Sequence, residues 1–353
     1  MKELPEYVAR AKESLYFSGA KISEQLRAFY AGQADACQEL GRAERERGFD
    51  QIYLLGSGGS SATMETAKYI FDGLLEVPVE ALVSYEAVWR RPARLNSRAL
   101  VFLSSYSGET EDAVAALRYA KERGARTVAI VGKPESTMAN EADVVIPYNS
   151  GAIFEVPVAA LVLFAAGYLE ADAPNERVEK LRTSLLALPE ACERTLAGAD
   201  ERAEEQAREF LSSNHIYVLG GGPLAPLAYK LAMSVVMENI RIGSTYSEAA
   251  EWRHGPVEAL ERLRPDVIAL LGTDESRSLA ERSINFCRSR DARVLVFDAA
   301  EFGAEVDPLL TPLVMNSHTQ YFVVYSAILR GITDLDERVF MGHRILSGGE
   351  GWP

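Results

Sequence analysis

The stretch Gln51-Ile-Tyr-Leu-Leu-Gly-Ser-Gly-Gly returns 164 residues later as His215-Ile-Tyr-Val-Leu-Gly-Gly-Gly-Pro. Two further stretches return in the same order. Ala99-Leu-Val-Phe-Leu-Ser-Ser-Tyr-Ser-Gly-Glu-Thr is echoed by Asp266-Val-Ile-Ala-Leu-Leu-Gly-Thr-Asp-Glu-Ser-Arg-Ser, and Gly124-Ala-Arg-Thr-Val-Ala-Ile by Asp291-Ala-Arg-Val-Leu-Val-Phe, 167 residues on. Order and spacing together indicate a duplicated unit. Each copy alternates short apolar runs with stretches of helical periodicity, so each is expected to be a parallel sheet with helices on both faces.

The duplication divides the chain. Residues 1–47 carry helical spacing, with Tyr7, Ala11 and Leu15, then Ile22, Leu26 and Tyr30, and end at Gly48. The first α/β unit is expected over 48–150, a helical bridge over 151–210, the second unit over 211–335, and a Gly-rich tail over 336–353. The longest apolar run, Val156 to Leu169, has 14 residues and contains a proline. A membrane helix needs about 20 residues, so this run reads as a buried helix.

A net charge of −14 disfavours nucleic acid as a partner, because a phosphate backbone demands a basic surface. Cys37, Cys192 and Cys287 lie far apart and form no CxxC pair, which suits a reducing, cytoplasmic setting. The histidines His215, His254, His318 and His343 have no metal-ligand spacing, and no metal is expected.

Three places can carry chemistry. The first is the strand-to-helix turn Ser104-Ser-Tyr-Ser-Gly-Glu-Thr-Glu-Asp. Open parallel sheets bind ligands at the carboxyl ends of their strands, where a helix start offers free N–H groups and a positive dipole. Ser105, Ser107 and Thr110 would add hydroxyls around a phosphate. The alternative is an ordinary helix cap, and Glu109 and Glu111 oppose an anion unless they point away. The second is Gly56-Ser-Gly-Gly-Ser-Ser, whose glycines let backbone approach a ligand. It lacks the third glycine of the dinucleotide fingerprint, and no Gly-Lys-Ser/Thr of a nucleotide-phosphate loop occurs. The third is Glu238, an isolated carboxylate in Ser-Val-Val-Met-Glu-Asn-Ile, with His254 on a Gly-Pro turn 16 residues later. Burial would bring the carboxyl toward neutrality, and a histidine titrates near pH 7, so the pair suits proton transfer between adjacent sugar carbons. The alternative is a glutamate paired with Arg241 or Arg253 and a histidine packed in a turn.

The duplicated unit, the Ser105-x-Ser-Gly-Glu-Thr turn and the Glu251-x-x-His-Gly-Pro motif together resemble the sugar isomerase (SIS) family. Gly222-Pro-Leu-Ala-Pro-Leu-Ala-Tyr-Lys, Glu251-Trp-Arg-His-Gly-Pro, Leu271-Gly-Thr-Asp-Glu-Ser-Arg, Glu281-Arg-Ser-Ile-Asn-Phe and Asp334-Leu-Asp-Glu-Arg resemble the fructosamine-6-phosphate deglycases, the fructoselysine-6-phosphate type above all. The resemblance implies two tandem flavodoxin-like SIS units. It implies phosphate binding at Ser105, Tyr106, Ser107 and Thr110, with Gly58, Gly59 and Ser60 on the loop beside them. It implies Glu238 and His254 as the catalytic pair, contributed by different subunits of a homodimer, and Glu155 as a second carboxylate at the sugar. Three features depart from the related glucosamine-6-phosphate synthase: Tyr106 replaces a glutamine, Val235 stands at the position of an active-site lysine, and Pro157-Val-Ala-Ala follows Glu155 in place of Ser-Thr-Lys. The tail from Gly342 also differs from the deglycase ending.

The expected activity is therefore cleavage of a 6-phosphorylated Amadori product to glucose 6-phosphate and a free amine. No cofactor is called for, because the ketose carbonyl supplies the electron sink. An amino-sugar-phosphate deaminase or aldose–ketose isomerase would use the same proton transfer. A sugar-phosphate-sensing regulator is a further alternative, although the first 45 or so residues are too short and acidic for a DNA-binding helix-turn-helix.

Overall fold

A computed structural model describes residues 4–340. Two parallel sheets form the frame. The first contains β1 (Gln51–Gly56), β2 (Val79–Val83), β3 (Ala99–Ser105), β4 (Arg126–Val131) and β5 (Val144–Pro147), in spatial order 2-1-3-4-5. The second contains β6 (His215–Gly220), β7 (Gly243–Glu248), β8 (Asp266–Leu271) and β9 (Val294–Asp298), in the order 7-6-8-9. Equivalent strands thus occupy equivalent places, as the duplication predicts, and the second sheet ends one strand sooner. In both sheets the order reverses beside the first strand, which opens a crevice at the strands' carboxyl ends.

The sequence pattern explains the burial. All seven residues of β3 are buried, as a central parallel strand covered on both faces requires. The helix Glu155–Glu170 is apolar on every side and lies within the core. One continuous cluster joins Ile52, Phe102 and Phe164 of the first half to Ile216, Leu270 and Phe322 of the second, so the two units share a core. Among the described residues no helix is long and apolar enough to cross a membrane. The tail from 341 onward lies outside the described residues.

The helix Ile22–Arg47 packs against Glu155–Glu170 at backbone distance. A Cβ on Gly167 would run into the carbonyl oxygen of Gln38, and one on Gly41 into that of Phe164. Neither obstacle can rotate away. Gly167→Ala is therefore expected to destabilise the chain by about 1–3 kcal/mol through overpacking. Urea unfolding would show this as a lower midpoint with an unchanged slope; an unaltered midpoint would mean that the two helices are less tightly joined.

Candidate functional site

The end of β3 turns into the helix Glu111–Glu122 through Tyr106–Thr110. Gly108 makes this turn with φ +64 and leaves no room for a Cβ, because Ser136 lies against it. The turn gathers three hydroxyls. Ser105 Oγ lies 2.9 Å from Thr110 Oγ1 and 3.5 Å from Ser107 Oγ, and Ser107 Oγ lies 3.4 Å from Thr110 Oγ1. The N–H of Gly108 donates to Ser105 Oγ at 3.1 Å. Thr110 precedes the helix but makes no side-chain cap bond, so the helix start keeps donors to offer.

Both glutamates that opposed anion binding are engaged elsewhere. Glu109 accepts from the N–H and hydroxyl of Thr137 at 2.7 and 2.8 Å, which holds its carboxyl below the usual range. Glu111 accepts from the Tyr85 hydroxyl at 3.0 Å. Lys133 Nζ stands 5.9 Å from the ring centre of Tyr106 and brings a positive charge to the same turn. Burial pushes the Tyr106 phenol above its ordinary value, and the phenol of Tyr16 adds to the push.

Across the crevice, Gly58 and Gly59 lead β1 into the helix Gly59–Asp72. A Cβ on Gly59 would sit 3.9 Å from Cε of Lys230, so the lysine stem lies beside this loop. Ser60 is half-buried on the first turn.

Glu238 lies on Lys230–Ile240, which is wound as a π-helix and closes with Arg241 N–H donating five residues back to Val236 O at 3.0 Å. Such wide turns are rare and recur at functional sites. The sequence offered Arg241 or Arg253 as partners for Glu238. The structure corrects this: Arg241 turns to Glu337, Arg253 to the His254 ring, and Arg338 takes Glu238 Oε1 at 2.5 Å. Arg338 also stacks 4.1 Å from the ring centre of Tyr16. Among the described residues, Glu238 Oε2 accepts no hydrogen bond.

Glu155 is completely buried at the start of its helix. Its Oε1 accepts from Asn316 Nδ2 at 2.7 Å, while Asn316 Oδ1 accepts from Lys230 Nζ at 2.7 Å. Oε2 has no partner. Burial pushes the Glu155 carboxyl up and the Lys230 ammonium down to about 8; the carboxylates of Glu155 and Glu238 partly restore the ammonium. Among the described residues, His254 shares no hydrogen bond with these groups. It is exposed, and among the described residues its side-chain partner is Arg253, whose Nε donates to His254 Nε2 at 3.2 Å.

Sequence reasoning overlooked Lys230, Asn316, Lys133 and Arg338. The signal that singled out Glu238, a charge inside an apolar helix, was equally present at Lys230 in Ala-Tyr-Lys-Leu-Ala. Arg338 lies 100 residues from Glu238, and no local pattern joins them.

Comparisons with known proteins bear on the family and the fold. Residues 48–168 match the SIS domain model. Fructoselysine 6-phosphate deglycase of Escherichia coli is 30% identical over 297 residues, covering 84% of this chain and 87% of the relative. A fructosamine deglycase of Bacillus subtilis is 30% identical over 306 residues, covering 84% and 90%. A Bacillus subtilis crystal structure, described as a candidate phosphosugar isomerase, superposes with a TM-score of 0.77 at 30% identity, covering 88% of this chain and 98% of that one.

Proposed function

Since the chain belongs to the SIS family of sugar-phosphate proteins, we propose that it is a deglycase acting on a 6-phosphorylated Amadori product. The observation that carries this reading is the turn at 105–110: three hydroxyls within 3.5 Å at a helix start, with both adjacent glutamates turned away. A dianionic phosphate needs such a set of donors and little else.

The phosphate is held by Ser105, Ser107, Thr110 and the free N–H groups of the helix, with Tyr106 beside it and the Gly58-Gly59-Ser60 loop opposite. Glu155 closes the buried end of the site. One of Glu238 and His254 takes the proton from C1 of the open-chain ketose, giving an enaminol. The other protonates C2. The resulting C1 imine adds water and releases glucose 6-phosphate and the amine. Arg338 engages one oxygen of Glu238 and leaves the other to exchange the proton.

The site is completed by a second copy of the chain, whose His254 faces Glu238. Two observations support this. His254 is exposed, and among the described residues no hydrogen bond joins it to Glu238 within one chain. The helix carrying Glu238, with Tyr229 just before it, also presents Tyr229, Met233 and Met237 to the outside, 36%, 44% and 40% exposed, a row of large apolar groups that association would cover.

Incubation with fructoselysine 6-phosphate, glucoselysine 6-phosphate and glucosamine 6-phosphate, with release of hexose 6-phosphate followed, tests the reading. Turnover of either of the first two is the expected result. Ammonia release from the third alone would overturn it in favour of a deaminase using the same proton transfer.

A further inference from the structure

The cluster Lys230–Asn316–Glu155 joins three helices from different parts of the chain: Lys230–Ile240, Thr311–Leu329 and Glu155–Glu170. The asparagine amide is oriented as charge requires, donating to the carboxyl and accepting from the ammonium. All three side chains are buried, and among the described residues Glu155 Oε2 goes unpaired. Such a partly satisfied ionic cluster stabilises less than well-packed apolar groups of the same volume would. Stability therefore does not account for it. Its position does: the lysine stem touches the space above Gly59, its ammonium packs 5.1 Å from the ring centre of Phe154, and its charge reaches both Glu155 and Glu238.

We propose that Lys230 is a positioning residue of the sugar-phosphate site: its buried ammonium, held through Asn316 to Glu155, locks the helix that carries Glu238 against the Gly58–Ser60 loop. The proposal rests on the sugar-phosphate reading of that site but not on which amine the substrate carries. The ammonium faces Glu155 from one helix, the neutral amide of Asn316 from another and Glu238 from its own; on the loop side the lysine stem lies beside Gly59. When the ammonium loses its proton it no longer attracts either carboxylate, and the lock loosens. Burial places that loss near pH 8.

Binding of sorbitol 6-phosphate, measured by calorimetry between pH 7 and 9.5, tests this without any reaction. Its phosphate is already dianionic above pH 7, so the ligand contributes no change. Wild-type affinity is expected to fall about tenfold across the range, a loss that modest misplacement of binding groups produces. Lys230→Met is expected to bind about tenfold more weakly at pH 7 and to show no further fall. Equal affinity and equal pH dependence in the two proteins would reduce Lys230 to a purely structural role and overturn the proposal. Should the variant fail to fold, the wild-type titration decides: a flat affinity overturns the proposal too. A wild type that does not bind sorbitol 6-phosphate at any pH would instead remove the sugar-phosphate reading itself.

Discussion

Glu238→Gln is expected to lower kcat by about 10³-fold, within the range that general acid–base groups supply, while leaving sugar-phosphate affinity within a few-fold of wild type. Glutamine keeps the shape of the carboxylate and can still accept from Arg338, which now reaches Oε1 at 2.5 Å. It can neither take the C1 proton nor return it. The hydroxyls at 105–110, proposed to hold the phosphate, belong to the other unit's strand-to-helix turn and should feel no change. Because Arg338 is left with a neutral partner in a largely enclosed place, some stability is lost as well. Rapid-quench turnover, with binding of sorbitol 6-phosphate as the control, separates the two effects. Activity within tenfold of wild type would remove Glu238 from the proton-transfer step.

Mixing two inactive proteins should restore activity. Glu238→Gln and His254→Asn are each expected to be inactive alone. If a site takes its glutamate from one protomer and its histidine from the other, a mixed dimer carries one intact site and one doubly altered site. Random reassortment makes about half of the dimers mixed, so about one quarter of wild-type activity is expected to return. A site built within one chain would leave every protomer defective, and mixing would recover nothing. The result therefore decides between the shared and the single-chain arrangement directly. It bears on the exposed row of Tyr229, Met233 and Met237, which association would cover.

The pH dependence of stability offers a check on Lys230 that its binding role does not control. Burial lowers its pKa from the ordinary lysine value to about 8. Between that value and the unfolded one the unfolded chain holds more protons, so the contribution of Lys230 to stability rises with pH across this window. Below it, the cost of burying the ammonium is fully present.

Several features were legible without coordinates. The repeated strand-turn pattern at Gln51 and His215 announced two sheets, and each sheet formed with its first strand in the corresponding place. Ser105, Ser107 and Thr110 were recognisable because hydroxyls at a strand-to-helix turn have a local spacing. The apolar run from Val156 was recognisable because a helix buried on all sides needs no polar face.

What one chain's sequence determined about this protein is set by neighbours along the chain: the alternation of strand and helix, the turn that gathers hydroxyls, and the isolated charge at Glu238. Only the tertiary structure decided which distant groups meet. It turned Glu109 toward Thr137 and Glu111 toward Tyr85, away from the hydroxyls of the turn. It gave Glu238 to Arg338 rather than to Arg241 or Arg253. It set Lys230, Asn316 and Glu155 together within the core. The reason is physical: secondary structure follows periodicities a few residues long, whereas a buried charge is partnered by whatever the packed core brings within hydrogen-bond reach, and that distance is unrelated to separation along the chain.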